Sequence, residues 1–122
     1  MHEISLAVGV LSLVEDCARR EPFARLIELR LEVGRLAGVD VHALRFALDS
    51  LAAGTVLAGA NIRIDEPVGT ARCVACGQTV GLAHRGDPCP ACGGYGLSLL
   101  SGTELRVVDM TVADEATPAG GT

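Results

Sequence analysis

Two groups of residues in this 122-residue chain have types and spacing suited to chemistry, and in both cases the chemistry is metal binding. Cys73-Val-Ala-Cys76 and Cys89-Pro-Ala-Cys92 form two C-x-x-C pairs separated by twelve residues. Two short turns spaced in this way can present four thiolates to one ion at tetrahedral angles, the geometry zinc takes from sulfur. Gly77 after the first pair and Gly93-Gly94 after the second free the backbone where turn amides must fold back toward the sulfurs, while Pro90 stiffens the second turn. Four sulfur ligands leave no open position for water, so a zinc held here organises structure and does not catalyse.

The second group is Met1-His2-Glu3. A free amine, the His2 backbone amide and the His2 imidazole can chelate one ion in fused rings, giving three nitrogens in a plane. Square-planar nitrogen sets favour Ni(II) or Cu(II) over zinc, so two metals would sort themselves by geometry within one chain. The bland reading is a solvated histidine at a chain end, with Glu3 merely favouring a helix N-terminus. Of the remaining candidates, His84 between the cysteine pairs and His42 read as exposed polar residues, and Cys17 as a packed thiol.

The elements that must position these residues follow from apolar rhythm. Ile4, Ala7, Val8, Leu11 and Val14 recur at helical spacing, widened by Leu6, Val10, Leu13 and Cys17, which predicts a well-buried helix from Ile4 to Arg20, ended by Pro22. Leu26 to Val33 alternates, with Ile27, Leu29, Leu31 and Val33 on one face. Asp40 is placed to cap a second helix, roughly Val41 to Ala52, that carries Leu44, Ala47, Leu48 and Leu51 on one side. Asn61 to Glu66 alternates again, and the strand, helix, strand order predicts a right-handed crossover with these two strands parallel. Between Thr70 and Ser101 the rhythm fades into Gly, Pro and Cys before a third strand, Thr103 to Val112. The expected fold is α+β: a small mixed three-stranded sheet packed with two helices, carrying an inserted zinc-ribbon-like module. In domain terms, residues 1–69 and 102–112 form one discontinuous α/β domain, 70–101 the cysteine insertion and 113–122 a disordered tail.

Bulk properties narrow the function. The net charge of −5, the pI near 5 and the complete absence of Lys oppose a nucleic-acid surface, which needs clustered cations. Only Arg72 and Arg85 lie near the cysteines. No eighteen-residue apolar run and no basic leader precede the first helix, so neither a membrane span nor a secretory signal is expected and a cytoplasmic protein is. Tight thiol pairs in such a reducing compartment indicate metal in place of disulfides.

Family resemblance adds to this. Met1-His2-Glu3-Ile4-Ser5-Leu6, Val33-Gly34-Arg35-Leu36-Ala37-Gly38-Val39, Ile64-Asp65-Glu66-Pro67 and Ser101-Gly102-Thr103-Glu104-Leu105, in that order around the cysteine quartet, resemble the HypA/HybF family of hydrogenase nickel-incorporation proteins over nearly the whole chain. Met110-Thr111-Val112 departs from the acidic residue that family often has before its final Val, without touching a metal ligand. The resemblance implies a non-enzymatic nickel metallochaperone. Its nickel site would comprise Met1, His2 and Glu3, with His2 the principal ligand and Asp40 a further candidate nearby. A structural zinc would sit on Cys73, Cys76, Cys89 and Cys92. Implied partners are a HypB-type GTPase and the precursor of a NiFe-hydrogenase large subunit, or urease in some organisms, with the chain a monomer or weak dimer.

Three other functions compete. A zinc-ribbon module for nucleic acid or protein is permitted by the cysteine spacing. An enzyme is opposed by the lack of any Ser/His/Asp, Cys/His or glycine-rich phosphate-binding pattern. A rubredoxin-like electron carrier would ring its iron with aromatic side chains, and only Tyr95 is close.

Overall fold

In a computed structural model of the chain, which describes residues 2–114, the first apolar rhythm forms helix α1 (His2–Arg20). Glu3 in its first turn and Arg19 and Arg20 in its last complement the helix dipole. The Glu21 amide still reaches the Cys17 carbonyl at 2.9 Å, and Pro22 then stops the helix. The wide buried stripe expected from the sequence is corrected here. Ala7, Val10 and Val14 are buried, whereas Ile4, Val8 and Leu13 are 60%, 47% and 46% exposed. A helix packed on one side buries one stripe of its circumference, so apolar residues beyond that stripe stay in water.

Strand β1 (Arg25–Val33) follows. Leu26, Leu29, Leu31 and Val33 are buried, while Ile27, assigned to the inner face by alternation, is 38% exposed, so the alternation breaks at Ile27 and Glu28. Helix α2 (Val41–Ala52) has the span expected of it, and Asp40 caps it: its Oδ1 accepts from the Ala43 amide at 3.1 Å, with Leu44, Ala47 and Leu48 turned inward. Strand β2 (Asn61–Asp65) lies beside β1. On the other edge of β1 lies the last strand of the chain, β6 (Leu105–Ala113), giving the order β2-β1-β6. The Ala24 amide bonds to the Ala113 carbonyl and the Gly34 amide to the Glu104 carbonyl, so β1 and β6 run antiparallel. Ala113 thus closes a strand where the sequence placed the start of a tail; residues 115–122 of that expected tail lie outside the described residues.

The segment expected to be a zinc-ribbon-like insertion holds a second sheet. Strands β3 (Gly69–Cys73), β4 (Thr79–Leu82) and β5 (Leu97–Ser101) form it in the order β4-β3-β5. Both pairings are antiparallel, in registers running from Gly69↔Leu82 to Arg72↔Thr79 and from Thr70↔Ser101 to Cys73↔Leu97, the latter with an irregularity between Thr70 and Ala71.

By contact the chain divides into two units. One comprises residues up to Leu31, Asp40–Arg63 and the chain from Val107 on; α1 packs on α2 within it. The other comprises Glu32–Val39 and Ile64–Arg106, so it takes in a strap, residues 32–39, that precedes the cysteines by more than thirty positions. The strap belongs there because Leu36 is fully buried in a cluster with Ala71 and Leu82, flanked by Leu97 and Leu99. Its backbone is stitched in as well: the Leu36 amide donates to Gly102 O, the Arg35 amide to Pro67 O and the Arg35 Nε to Glu66 O. Glycine is required where these segments touch. A Cβ on Gly34 would stand 2.1 Å from Gly102 O, and Gly102 itself has φ +91°.

Candidate metal centre

Each C-x-x-C pair forms a tight turn for the same local reason. After Cys73 the chain reverses so that the Gly77 amide donates to Cys73 O at 2.8 Å; after Cys89 the Gly93 amide donates to Cys89 O at 2.7 Å. Both glycines have positive φ, +76° and +80°, which a side chain would strain. These reversals aim amides at sulfur: Cys76 N–H toward Cys73 Sγ at 3.5 Å, Ala91 N–H toward Cys89 Sγ at 3.4 Å, and Gly94 N–H toward Cys92 Sγ at 3.4 Å. The Cys73 amide to Gln78 O, the Val74 amide to Gly96 O and the Cys89 amide to Gly94 O brace the two turns further.

The four sulfurs converge, all within 4.8 Å of one another. Cys73 Sγ stands 3.6 Å from Cys92 Sγ and Cys76 Sγ 3.9 Å from Cys89 Sγ, far beyond a disulfide bond. A tetrahedron with metal–sulfur bonds of about 2.3 Å has edges of about 3.8 Å, so the observed pairs bracket the separation that tetrathiolate zinc requires. Cys73 and Cys89 are buried and Cys76 and Cys92 exposed, each turn contributing one of each. The thiols differ in acidity. The Cys76 amide at its sulfur brings Cys73 down to about 7. At Cys92 the Gly94 amide lowers the value, but the crowding thiols, Cys73 foremost, push it up to about 11.

Other candidates lie elsewhere. His84 is exposed, with Nδ1 3.5 Å from the Asp87 carboxylate, and does not belong to the sulfur cluster. Cys17 is half-buried, with the Arg20 guanidinium 3.9 Å from its sulfur. His2 is exposed in the first turn of α1, whereas Met1 lies outside the described residues. Glu3 accepts the Asp40 amide at 2.9 Å through Oε2, and this bond lowers its carboxyl from the ordinary value. That tether between the starts of α1 and α2 has no signature in the sequence, where Glu3 and Asp40 each read as acting at their own helix. Equally unforeseen is Arg85, whose Nε donates to Leu36 O at 2.6 Å; a loop arginine gives no sign of its carbonyl partner 49 residues away.

Comparison with known proteins places this arrangement. The family model described as hydrogenase/urease nickel incorporation, metallochaperone, hypA matches residues 1–112. A hydrogenase maturation factor HypA from Cupriavidus necator is 59% identical over 118 residues, covering 97% of this chain and 99% of that protein. One of the same name from Polaromonas naphthalenivorans is 61% identical over 115 residues, covering 94% and 100%. The solution structure of the Ni metallochaperone HypA from Helicobacter pylori aligns with a TM-score of 0.65 at 16% identity over 93% of this chain and 98% of its own. A second HypA solution structure reaches 0.68 at 19%, covering 94% and 98%; both likenesses bear on the fold alone.

Proposed function

The chain belongs to the HypA family of hydrogenase/urease nickel-incorporation metallochaperones, maturation factors and not enzymes, and from that premise we propose that it binds Ni(II) at its own N-terminus and delivers it during maturation of a NiFe-hydrogenase. The observation that carries this reading is the exposed His2 at the start of α1, apart from a sulfur cluster that is already a closed set of four. In this division of labour the unit that carries α1 and α2 serves nickel and the unit that carries the four cysteines serves zinc. Cys73, Cys76, Cys89 and Cys92 hold a structural zinc, which when bound cross-links two turns and adds folding energy to a unit whose buried cluster is Leu36, Ala71 and Leu82.

Nickel is the cargo. Its donors are the Met1 amine and the His2 amide and imidazole, completed by an exchangeable fourth ligand. The first four N–H groups of a helix lack intrahelical acceptors, so ligation through the His2 amide breaks no helical hydrogen bond. Glu3 shapes the site through its bond to the Asp40 amide. Asp40 contributes as the cap of α2, its Oδ1 being turned to Ala43. The recipients are a HypB-type GTPase and the hydrogenase large-subunit precursor, and the setting is the cytoplasm. The zinc-ribbon alternative for nucleic acid is weakened by Arg85, one of two arginines near the cysteines, because its Nε is spent on a carbonyl of its own chain.

Isothermal titration of untagged, N-terminally extended and His2→Ala proteins tests the proposal. Extension converts the Met1 amine to an amide and lengthens the chelate, so it weakens nickel binding, whereas His2→Ala removes the imidazole and abolishes specific binding; zinc content stays at one per chain in both. Amine and imidazole, with reference pKa values near 8 and 6.5, must shed protons to bind, so affinity falls steeply from about pH 8 to 6. Equal nickel affinity in all three proteins would overturn the N-terminal site.

A further inference from the structure

In the loop between the two cysteine turns, His84-Arg85-Gly86-Asp87 forms a tight turn of its own. The Asp87 amide closes it on His84 O at 3.3 Å, and Gly86 takes φ +85°, the positive value that the third position of a type II turn requires. Two residues of this turn, Arg85 and Asp87, line a cavity of about 260 Å3 within the cysteine-bearing unit. Its apolar lining comes from Leu82, Leu97 and Leu99, on the face of the β4-β3-β5 sheet that also carries Ala71. Leu36 covers only part of that face, so Leu97 and Leu99 remain partly buried. Tyr95, 74% exposed, completes the cavity.

The placement of charge identifies what fits there. One bond orients the Arg85 guanidinium, from Nε to Leu36 O at 2.6 Å, and among the described residues nothing accepts a hydrogen bond from its two Nη groups. Asp87 meets the His84 ring through Oδ2 at 3.5 Å. Arg85 and Asp87 thus carry opposite charges into one small cavity, yet no ion pair joins them. An unoccupied guanidinium fork suits a carboxylate, and a carboxylate suits an ammonium group, so a ligand carrying both bridges the two residues. A free α-amino acid has both charges on one carbon, whereas either end of a peptide chain has only one of them. Its side chain then falls to the apolar lining. We propose that this cavity binds a free α-amino acid with a large apolar side chain, such as leucine: its carboxylate on the Arg85 Nη groups, its ammonium on Asp87, and its side chain on Leu97, Leu99 and Tyr95. Where nickel binds has no bearing on this site.

Tyr95 is the single tyrosine of a chain without tryptophan, so its emission reports on the cavity directly. The zinc-loaded chain is titrated with L-leucine by tyrosine fluorescence and by calorimetry. Three further probes each lack one feature: L-leucinamide the carboxylate, N-acetyl-L-leucine the ammonium, and glycine the side chain. L-Leucine is expected to saturate the site at about millimolar concentration and to raise the thermal midpoint, and each of the other probes to bind about tenfold more weakly or worse. Arg85→Gln should abolish the response to L-leucine. Because that change also removes the bond to Leu36 O, Asp87→Asn is the decisive variant: it should weaken L-leucine about tenfold while N-acetyl-L-leucine affinity and zinc content keep their native values. Absence of a saturable response to L-leucine up to about 20 mM overturns the proposal, as does native L-leucine affinity in Asp87→Asn. N-Acetyl-L-leucine binding as tightly as L-leucine overturns the free amino acid in favour of a peptide's carboxyl end, and glycine binding as tightly overturns the apolar seat.

Discussion

Replacing Leu36 with Ala probes the strap that the cysteine-bearing unit borrows from the far side of α2. Leu36 is fully buried against Ala71 and Leu82. Removing its outer carbons forfeits transfer free energy of about 0.8 kcal/mol per methylene-sized group, or roughly 2.5 kcal/mol. A cavity term adds to that, and its size depends on how far the neighbours can relax. Here the neighbours are unyielding: a Cβ on Gly69 would stand 2.3 Å from Leu36 Cδ1, and one on Gly102 3.6 Å, so two backbones already held by hydrogen bonds form part of the wall. The expected loss is therefore in the upper part of the range for buried Leu→Ala changes, about 4 kcal/mol, or a factor near a thousand in the local opening equilibrium. Hydrogen exchange of the zinc-loaded protein reads this out in the amides of β3 and β5, and zinc release to a chromogenic chelator should accelerate with it. The strap's main-chain bonds to Gly102 and Pro67 do not involve the side chain, so the register of β3 with β5 should persist. A loss below about 1 kcal/mol would refute the assignment of the strap to this core.

Three other perturbations have signs set by the structure. Gly102→Ala, at φ +91° with its new Cβ 2.4 Å from Gly69 Cα, should destabilise by at least about 2 kcal/mol in denaturant melts, while Gly38→Ala, at φ +73° in open space, should cost only about 1. Glu3 titrates below the ordinary 4.5 because its charged form holds the Asp40 amide, so that bond's contribution is present above pH 4.5 and is lost as pH falls through the lowered value; the Asp40 amide shift should follow this titration in the native chain and lose it in Glu3→Ala. Zinc loading should release protons, and fewer as pH rises from 6 to 8, because Cys73 near 7 becomes a thiolate beforehand whereas Cys92 near 11 keeps its proton until metal displaces it; calorimetry in buffers of differing ionisation enthalpy counts them, and a pH-independent release would contradict the assignment.

Much of this molecule was legible because its causes are local. The capped span of α2 follows from Asp40 and a four-residue apolar period, and the cysteine turns follow from two C-x-x-C pairs with glycine after each. The individual strands β3, β4 and β5 were not legible: strands of four or five residues interrupted by glycine carry no alternation long enough to stand out, and their buried residues cluster with Leu36, far away in the sequence. Nor could periodicity say which apolar residues of α1 would be covered, since Ile4, Val8 and Leu13 differ from Val10 and Val14 only in what packs opposite them.

By itself, then, the order of residues determined the helices, the strands flanking them, the thiol quartet and the family, since each depends on neighbours within a few positions or on a short motif. Tertiary structure alone decided that Glu3 would hold the Asp40 amide, that Arg85 would hold the Leu36 carbonyl, that four sulfurs would converge within 4.8 Å of one another, and that Phe46 would be left in water beside His2's helix. Those outcomes join residues 10 to 50 positions apart, and such pairings are selected by the burial and hydrogen bonding of the whole chain, which no local pattern encodes.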